Sequence, residues 1–369
     1  MYLKKLTLFN FKNYEEASLE FSEKINCFTG SNGAGKTNLL DAIHYLSFTK
    51  SYFNLIDSQN IRHNTDFFAI HGQFVRNGTG TDDVSCIQKR NFKKQFRINV
   101  KEYDRMADHI GEFPLVMVSP YDRDLINEGS ELRRKYIDSV ISQFDRLYLD
   151  DLMVYNKALA QRNALLKLFG EKRYFDEASI EIWDEQMKGP AARIFDRRQA
   201  FLDGFLPVFN KYFKFISQGK EQVGIIYNSD LRDSKMDQLL KVNLQRDLAA
   251  RYTTSGIHKD DLEFLIDGYP VKKFGSQGQQ KSFVVAIKLA QFEYTRSVKN
   301  YKPILLLDDI FDKLDSNRVD RIISLVGENS FGQVFITDTQ PERINHIFAT
   351  TVTDHRVFGV VAGKVYVVE

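Results

Sequence analysis

Gly30-Ser-Asn-Gly-Ala-Gly-Lys-Thr37 is the stretch that decides the reading of this chain. Gly30, Gly35, Lys36 and Thr37 stand at the spacing of a phosphate-binding loop. Three glycines, Gly30, Gly33 and Gly35, with Ser31, Asn32 and Ala34 between them, let successive backbone N–H groups turn inward around a triphosphate. A helix that starts where the loop ends points its positive end at the same anion. Lys36 would then reach the outer phosphates, and the Thr37 hydroxyl would ligate Mg²⁺. The flanks agree. Lys24-Ile-Asn-Cys-Phe-Thr29 reads as a strand entering the loop, and Leu39, Leu40, Ile43 and Leu46 share one face of a helix leaving it. A surface turn that happened to contain Lys-Thr would need neither flank, so the residues imply a bound nucleoside triphosphate.

A second piece of the same chemistry lies near the other end. Pro303-Ile-Leu-Leu-Leu-Asp-Asp309 is a buried-strand pattern that ends in two carboxylates, the Walker B arrangement. Asp308 would hold Mg²⁺ through water, and Asp309 would orient or deprotonate the attacking water, which makes Lys36, Asp308 and Asp309 the catalytic candidates. Glutamate is usual at the second position. An aspartate is one methylene shorter, so slow hydrolysis is expected.

The totals exclude several classes. At 369 residues, with 43% hydrophobic and 27% charged residues, the chain has room for about two or three packed lobes of ordinary composition. It contains no apolar run of about eighteen residues, so no membrane span and no membrane partner are expected. Cys27 and Cys86 are the only cysteines and stand apart from any Cys/His cluster, which disfavours zinc or disulfides and suits a reducing, cytoplasmic setting. The net charge of +2 does not by itself point to nucleic acid. The densest local cluster is Lys89-Arg-Asn-Phe-Lys-Lys-Gln-Phe-Arg97, which is open to two readings, a solvated hairpin flank or a phosphate-contacting stretch.

The order of elements predicts an α/β chain. Residues 67–75, 83–88 and 95–100 alternate as antiparallel strands, with Asn77-Gly78 and Gly80 as turn residues between the first two. Leu115-Val-Met-Val118 and Val334-Phe-Ile-Thr337 are buried-strand candidates. From about Leu132 the periodicity turns helical. Tyr136, Ile137, Val140, Ile141 and Phe144 open a helix that Leu149, Leu152, Tyr155, Leu159, Leu165 and Leu166 carry onward. A second stretch, 180–215, is expected to break near Gly189-Pro190, and Lys235–Arg251 reads as a further helix. The expected organisation is a P-loop ATPase core of ABC type with a mixed sheet and an antiparallel part. Residues 1–122 and 252–369 form that core, around a mainly helical lobe inserted at 123–251.

Ser276-x-Gly278-Gln279, followed by a helix with Phe283, Ile287, Ala290 and Tyr294 on one face, resembles the signature motif of ABC-type ATPases. In that class the serine and the helix N-terminus contact the γ-phosphate bound to another subunit, so Ser276, Gly278 and Gln279 join the nucleotide-binding candidates. The alternative reading of Ser276 is a helix cap. Phe311-Asp-Lys-Leu-Asp315 matches the D-loop of the same class. One loop and one signature motif per chain imply that two copies sandwich two nucleotides.

Across nearly its whole length the chain resembles the RecF family, SMC-like ABC ATPases of bacterial recombinational repair. Leu8-Phe-Asn-Phe-Lys-Asn-Tyr14 is similar to the family's opening N-F-R-N-Y segment, with Lys12 for arginine. Ser119-Pro-Tyr-Asp122, Gly129 and Arg133-Arg134-x-x-x-Asp138 are similar to its S-P-E-D…G…R-R-x-x-x-D block, with Tyr121 for glutamate. Gln161-Arg-Asn-x-Leu-Leu-Lys167 and Trp183-Asp-x-Gln186 fall in the inserted lobe. Ser255-Gly-Ile-His-Lys-Asp-Asp-Leu262 resembles G-P-H-R-D-D-L, with Ile257 for proline and Lys259 for arginine. The resemblance implies ATP and Mg²⁺ as ligands and an ATP-dependent homodimer. It also implies binding to DNA at gaps and single-strand/double-strand junctions, and recombinase loading with RecO- and RecR-type partners. A transporter-type ATPase working on a membrane partner is disfavoured by Thr337-Asp338, which replaces the switch histidine of that branch. A nuclease-partnered SMC-like ATPase would need long coiled-coil arms, which are lacking.

Overall fold

All five residues of Ile25–Thr29 are buried, as a strand covered on both faces requires. In the computed structural model this strand is the third of fifteen named strands. The structure describes residues 1–368 apart from 55, 77–79, 312–315, 328–330, 341 and 343–353. In chain order the first elements are β1 (Tyr2–Phe11), β2 (Tyr14–Glu20), β3 (Ile25–Thr29), α1 (Lys36–Phe48), β4 (Phe67–Arg76), β5 (Gly80–Lys89), β6 (Gln95–Ile98), β7 (Lys101–Glu102) and β8 (Leu115–Val118). Then come α2 (Asp124–Asn127), α3 (Ser130–Ser142), α4 (Arg146–Lys172), α5 (Glu177–Ser217), β9 (Val223–Asn228), α6 (Met236–Val242), α7 (Leu244–Ala250), β10 (Asp261–Ile266), β11 (Tyr269–Pro270) and α8 (Val271–Phe274). The remainder is α9 (Gln277–Lys299), β12 (Ile304–Asp308), α10 (Ser316–Gly327), β13 (Val334–Asp338), β14 (His355–Val361) and β15 (Lys364–Val367).

The chain folds as two compact units, one of Met1–Asp122, Phe215–Ser217 and Lys281–Glu369, the other of Arg123–Lys214 and Gln218–Gln280. The first unit holds two six-stranded sheets. One runs β15-β14-β3-β13-β12-β8, with every neighbouring pair parallel except the β14–β15 hairpin. The other runs β2-β1-β4-β5-β6-β7 and is antiparallel throughout. This is the mixed sheet with an antiparallel part expected of an ABC-type core. The parallel strands β8, β12 and β13 are buried at every position, so their sequences are apolar runs rather than alternations. A single core joins both sheets through α1. Leu39, Leu40, Ile43 and Leu46 of the helix pack with Phe68, Phe74 and Phe96 of the antiparallel sheet and Phe28, Phe335 and Phe358 of the parallel one. Each such burial stabilises by about 1.5–3 kcal/mol, which anchors the start of α1 firmly.

The second unit is helical apart from a three-stranded sheet, β11-β10-β9. Four features differ from the sequence expectations. The helix expected across 136–166 is two helices, because the chain turns at Gln143–Asp145 and Asp145 restarts it by accepting a hydrogen bond from the Tyr148 amide at 2.9 Å. Likewise Lys235–Arg251 divides at Asn243 into α6 and α7. Conversely, α5 runs unbroken through Pro190 and Pro207 for 41 residues. An interior proline costs about 3 kcal/mol. Met187, Ala191, Ile194, Phe201, Phe205, Phe209 and Phe213 are buried along one stripe of that helix, and their burial outweighs the cost. The expected boundary at 251 also falls inside this unit. β10 pairs along its length with β9, which ties residues 261–266 to the helices before them.

Two fully buried arginines hold the helical unit together. Arg162 donates to Asp184 (2.6 Å), Asp247 (2.7 Å) and Thr253 (2.8 Å). Arg198 donates to Asp138 and Asp260, each at 2.8 Å, and to the Ile257 carbonyl at 3.0 Å. Arg133 forms a two-pronged pair with Asp261 at 2.7 and 3.0 Å. Substituting Arg198→Met leaves Asp138 and Asp260 without their counter-charge, an expected loss of about 3–5 kcal/mol. Urea denaturation followed by helical circular dichroism should show the midpoint fall accordingly, and an unchanged midpoint would mean the network is not what holds these elements.

Candidate nucleotide-binding site

The loop between β3 and α1 is clasped from two sides. Gly30 has φ +149°, and a Cβ there would lie 2.3 Å from the Val360 carbonyl oxygen of β14. At Gly35, with φ +119°, a Cβ would meet the Asn13 amide nitrogen at 2.5 Å and the Tyr14 hydroxyl at 2.8 Å. Both positions therefore require glycine for backbone conformation and for space. The β1–β2 turn supplies the second side of the clasp. Asn13 donates to the Ala34 carbonyl at 3.0 Å, Tyr14 donates to the Gly35 carbonyl at 3.0 Å, and Asn38 donates to Asn13 at 2.7 Å. Lys12 pairs with the fully buried Asp41 of α1 at 2.6 Å. From the far end of the chain, the Gly363 amide donates to Ala34 at 3.0 Å.

A cleft of about 180 Å³ opens at this loop, lined by Asn32, Gly33, Gly35, Lys36, Thr37, Asn38, Asp308, Asp309 and Thr337. The β12–β13 register sets Asp308 beside Thr337. Two hydroxyls converge on one carboxylate oxygen, since Thr37 and Thr337 donate to Asp308 Oδ1 at 2.9 and 2.8 Å. The same Thr337 oxygen accepts from the Asp309 amide at 3.0 Å. Asp309 takes a left-handed backbone, φ +45°, as the strand ends in the cleft. Lys36 is buried, and its Nζ donates to the Gly30 and Ser31 carbonyls at 2.7 and 3.0 Å.

Charge burial sets the electrostatics. Desolvation pushes the Asp308 carboxyl above its ordinary value, and the hydrogen bonds from Thr337 and Thr37 only partly oppose it. Burial lowers Lys36, against the pull of Asp309, Asp308 and Asp338. The set of an anionic carboxylate and a hydroxyl, both hard oxygen donors, suits Mg²⁺, which takes one or two protein ligands and completes its shell with phosphate and water. Lys36 and the inward-turning loop suit the phosphates themselves.

Comparison with known proteins follows this geometry. The family model described as "RecF/RecN/SMC N terminal domain" matches residues 2–360. A Flavobacterium johnsoniae protein, "DNA replication and repair protein RecF", is 50% identical over 358 residues, covering 97% of this chain and 99% of that one. The solved "Structure of the recombination mediator protein RecF-ATP in RecFOR pathway" is 31% identical, with a TM-score of 0.89, covering 100% of this chain and 98% of that one. The Smc head domain from Pyrococcus furiosus, 18% identical with a TM-score of 0.59 over 100% of this chain and 96% of that one, shares the fold. The chain belongs to the RecF family.

Membership in the RecF family, and so among the ABC-type ATPases, places the remaining motifs. Asp122 accepts from the Ser119 amide at 2.7 Å and pairs with buried Lys288 at 2.8 Å. The RecF-like motifs of the inserted region are the Arg162–Asp184 and Arg198–Asp138–Asp260 networks, so their role in this chain is to hold the unit together. Ser276, Gly278 and Gln279 lie in the second unit and do not line the cleft. The Ser276 amide donates to Gln279 Oε1 at 2.7 Å and the Gln279 amide to Ser276 Oγ at 3.3 Å, a capping box at the start of α9 on an exposed serine. Of the D-loop candidate, residues 312–315 lie outside the described residues, as do Asn77 and Gly78.

Sequence reasoning missed the clasp of Asn13, Tyr14 and Asn38 and the second hydroxyl, Thr337. The signals were there, because Asn13-Tyr14 sits in the family's opening segment and Thr337 at the position compared with a histidine. The Lys89–Arg97 cluster divides. Lys94 is anchored to Asp57 (2.7 Å) and the Thr49 carbonyl (2.6 Å), and Arg97 pairs with Glu102 at 3.3 Å. Lys94 is thus tied into the fold, whereas the Arg97 pair is half-exposed.

A carboxyl raised in the folded state costs stability as pH climbs from its unfolded value through its folded one. Asp308→Asn relieves that cost. The ligand-free variant should melt above the parent at pH 7, by about 2–4 °C per kcal/mol relieved, with the gap closing below pH 3.8. A variant less stable at both pH values would contradict the burial argument.

Proposed function

We propose that this chain is an ATP-switched DNA-binding protein of recombinational repair, and the observation that carries the reading is the 2.9 Å bond between Thr37 and Asp308. A phosphate-loop hydroxyl and a strand-end carboxylate from opposite ends of the sequence meet there, as a metal-bridged triphosphate requires. Gly30, Ser31, Asn32, Gly33, Ala34, Gly35, Lys36 and Thr37 hold ATP, while Thr37 and Asp308 hold Mg²⁺. Bound metal draws charge from the phosphates. Asp309 orients and deprotonates the attacking water, and its short side chain keeps hydrolysis slow. Ser276, Gly278 and Gln279, on an exposed helix start, reach the nucleotide of a second copy, so ATP closes a homodimer and hydrolysis opens it.

The relatives support the rest. They are named for DNA replication and repair, and the solved relative is a recombination mediator of the RecFOR pathway. From these we infer binding at gaps and single-strand/double-strand junctions, action with RecO- and RecR-type proteins to load recombinase, and a cytoplasmic setting. No helix among the described residues is long and apolar enough to cross a membrane.

Three variants test the cycle. Lys36→Ala should abolish stable ATP binding, because it removes the cation aimed at the outer phosphates. Asp309→Asn should bind ATP normally yet turn over about 10²–10⁴-fold more slowly. With ATP that variant should sediment as a longer-lived dimer, and Ser276→Arg should prevent dimers. Monomers throughout, with ATP measurably bound, would overturn the two-subunit clamp.

A further inference from the structure

The second unit carries a cavity that neither the nucleotide chemistry nor the fold accounts for. About 490 Å³ in volume, it is lined by Asp230, Arg246, Tyr252, Thr254, Ser255 and Lys259, among others. The segment that forms one wall is fixed in place. After α7 ends in the left-handed Arg251, the chain doubles back, and Thr254 bonds Asp247 of α7 through its amide (2.9 Å) and hydroxyl (2.6 Å). His258 then bridges the Thr253 carbonyl (3.0 Å) and the Tyr155 hydroxyl (2.7 Å). Burial keeps that imidazole neutral, its pKa pushed down to about 4, so the wall carries no charge of its own there.

The cations that face the cavity are Arg246 and Lys259, both exposed, and neither makes an ion pair among the described residues. Asp247, one residue from Arg246, is already taken by Arg162 and Thr254. Lys259 Nζ rests 4.8 Å from the centre of the Tyr252 ring, and Tyr252 is 49% exposed. Ser255 is buried in the lining, and its hydroxyl has no hydrogen-bond partner among the described residues. Two available cations, a free hydroxyl and an exposed aromatic ring match the parts of one nucleotide unit, a phosphate and a base. Asp230 repels phosphate from its side and offers an acceptor to a base amino group.

We propose that this cavity binds one nucleotide unit of a single-stranded DNA segment, its phosphate between Arg246 and Lys259 and its base against Tyr252. The assignment rests on the DNA-binding reading above. It goes beyond that reading by placing a strand contact on the helical unit rather than on the Lys89–Arg97 cluster.

The test uses the full chain with ATP and a labelled oligonucleotide bearing a single-stranded tail, titrated over a salt series. Arg246→Glu with Lys259→Glu should weaken binding more than tenfold and flatten the salt slope by about 0.7, the value for one neutralised single-strand phosphate. Tyr252→Ala should weaken it about fivefold or more, as loss of one stacked base does. ATP affinity and the thermal midpoint should stay at parent values, and Lys241→Glu, outside the cavity, should change little. The neutral pair Arg246→Gln and Lys259→Gln should give a smaller loss in the same direction, which covers any misfolding of the reversed pair. If the parent binds DNA with ATP and the variants match it in affinity and slope, the cavity assignment falls and the functional reading stands. If the parent binds no DNA, the functional reading itself fails and this inference with it. A third arm adds free thymidine monophosphate. Saturable binding lost in the Arg246/Lys259 variant, with DNA affinity unaffected, would make this a free-nucleotide site and overturn the proposal.

Discussion

A carboxylate buried at the end of a central strand is the constraint around which the first unit is arranged. Asp308 is taken almost wholly out of water, and an uncompensated charge in such a place would be several kcal/mol too costly to keep. The chain meets that cost with two hydroxyls from different elements, Thr37 at the head of α1 and Thr337 on the neighbouring strand. Neither hydroxyl reaches unless β12 and β13 are parallel in their observed register and α1 begins where it does. Sheet order, loop length and helix start are thus fixed together by one acid, and a site strained in this way is poised to gain stability when a cation arrives.

The helical unit handles buried charge differently. There the cations are inside and are met by protein groups, although Arg162 Nη2 makes no hydrogen bond among the described residues. Arg198 is met by two carboxylates and a carbonyl, and Arg162 by two carboxylates and a hydroxyl. Such buried networks gain little net energy over an apolar core, but removing one member is costly, so they fix which helices meet. Asp308 is left with groups that a metal can replace, whereas Arg162 and Arg198 are not. That contrast separates a site from a scaffold.

Much of this was legible in the sequence, for reasons that can be named. The phosphate loop and the strand-end acids were visible because their chemistry demands particular residues at particular spacings. The buried strands showed as apolar runs, and α1 as an apolar face. What stayed hidden depended on distance in the chain. Nothing local says that Arg162 or Arg198 is buried, because an arginine in a helical stripe reads as solvated until its acids, 22 to 85 residues away for Arg162, are known to converge on it. Pro190 signalled a break that the packing of an aromatic stripe overrode. β10 was placed in the core by the boundary at 252, because nothing local in the sequence shows that it pairs with β9. Ser276 shows the opposite limit. Its spacing fits a ligand, its bonds are those of a cap, and an exposed cap is free to serve a second molecule.

The position of β3 also orders events at the ribosome. This strand, the first of its sheet to be made, lies between β13 and β14, and the loop it feeds is clasped by Val360 and Gly363, far later in the sequence. At roughly 5–20 residues per second, the glycine-rich segment emerges about 20–60 s before the residues that hold it in shape. Until then its backbone amides have no fixed orientation and Asp308 has no strand on its far side. The loop therefore cannot take its clasped form until the strands on both sides of β3 have been made. A chain lacking Val334–Asp338 or Gly363 would leave the loop open on one side, so the two-ended clasp ties formation of the site to translation of both segments.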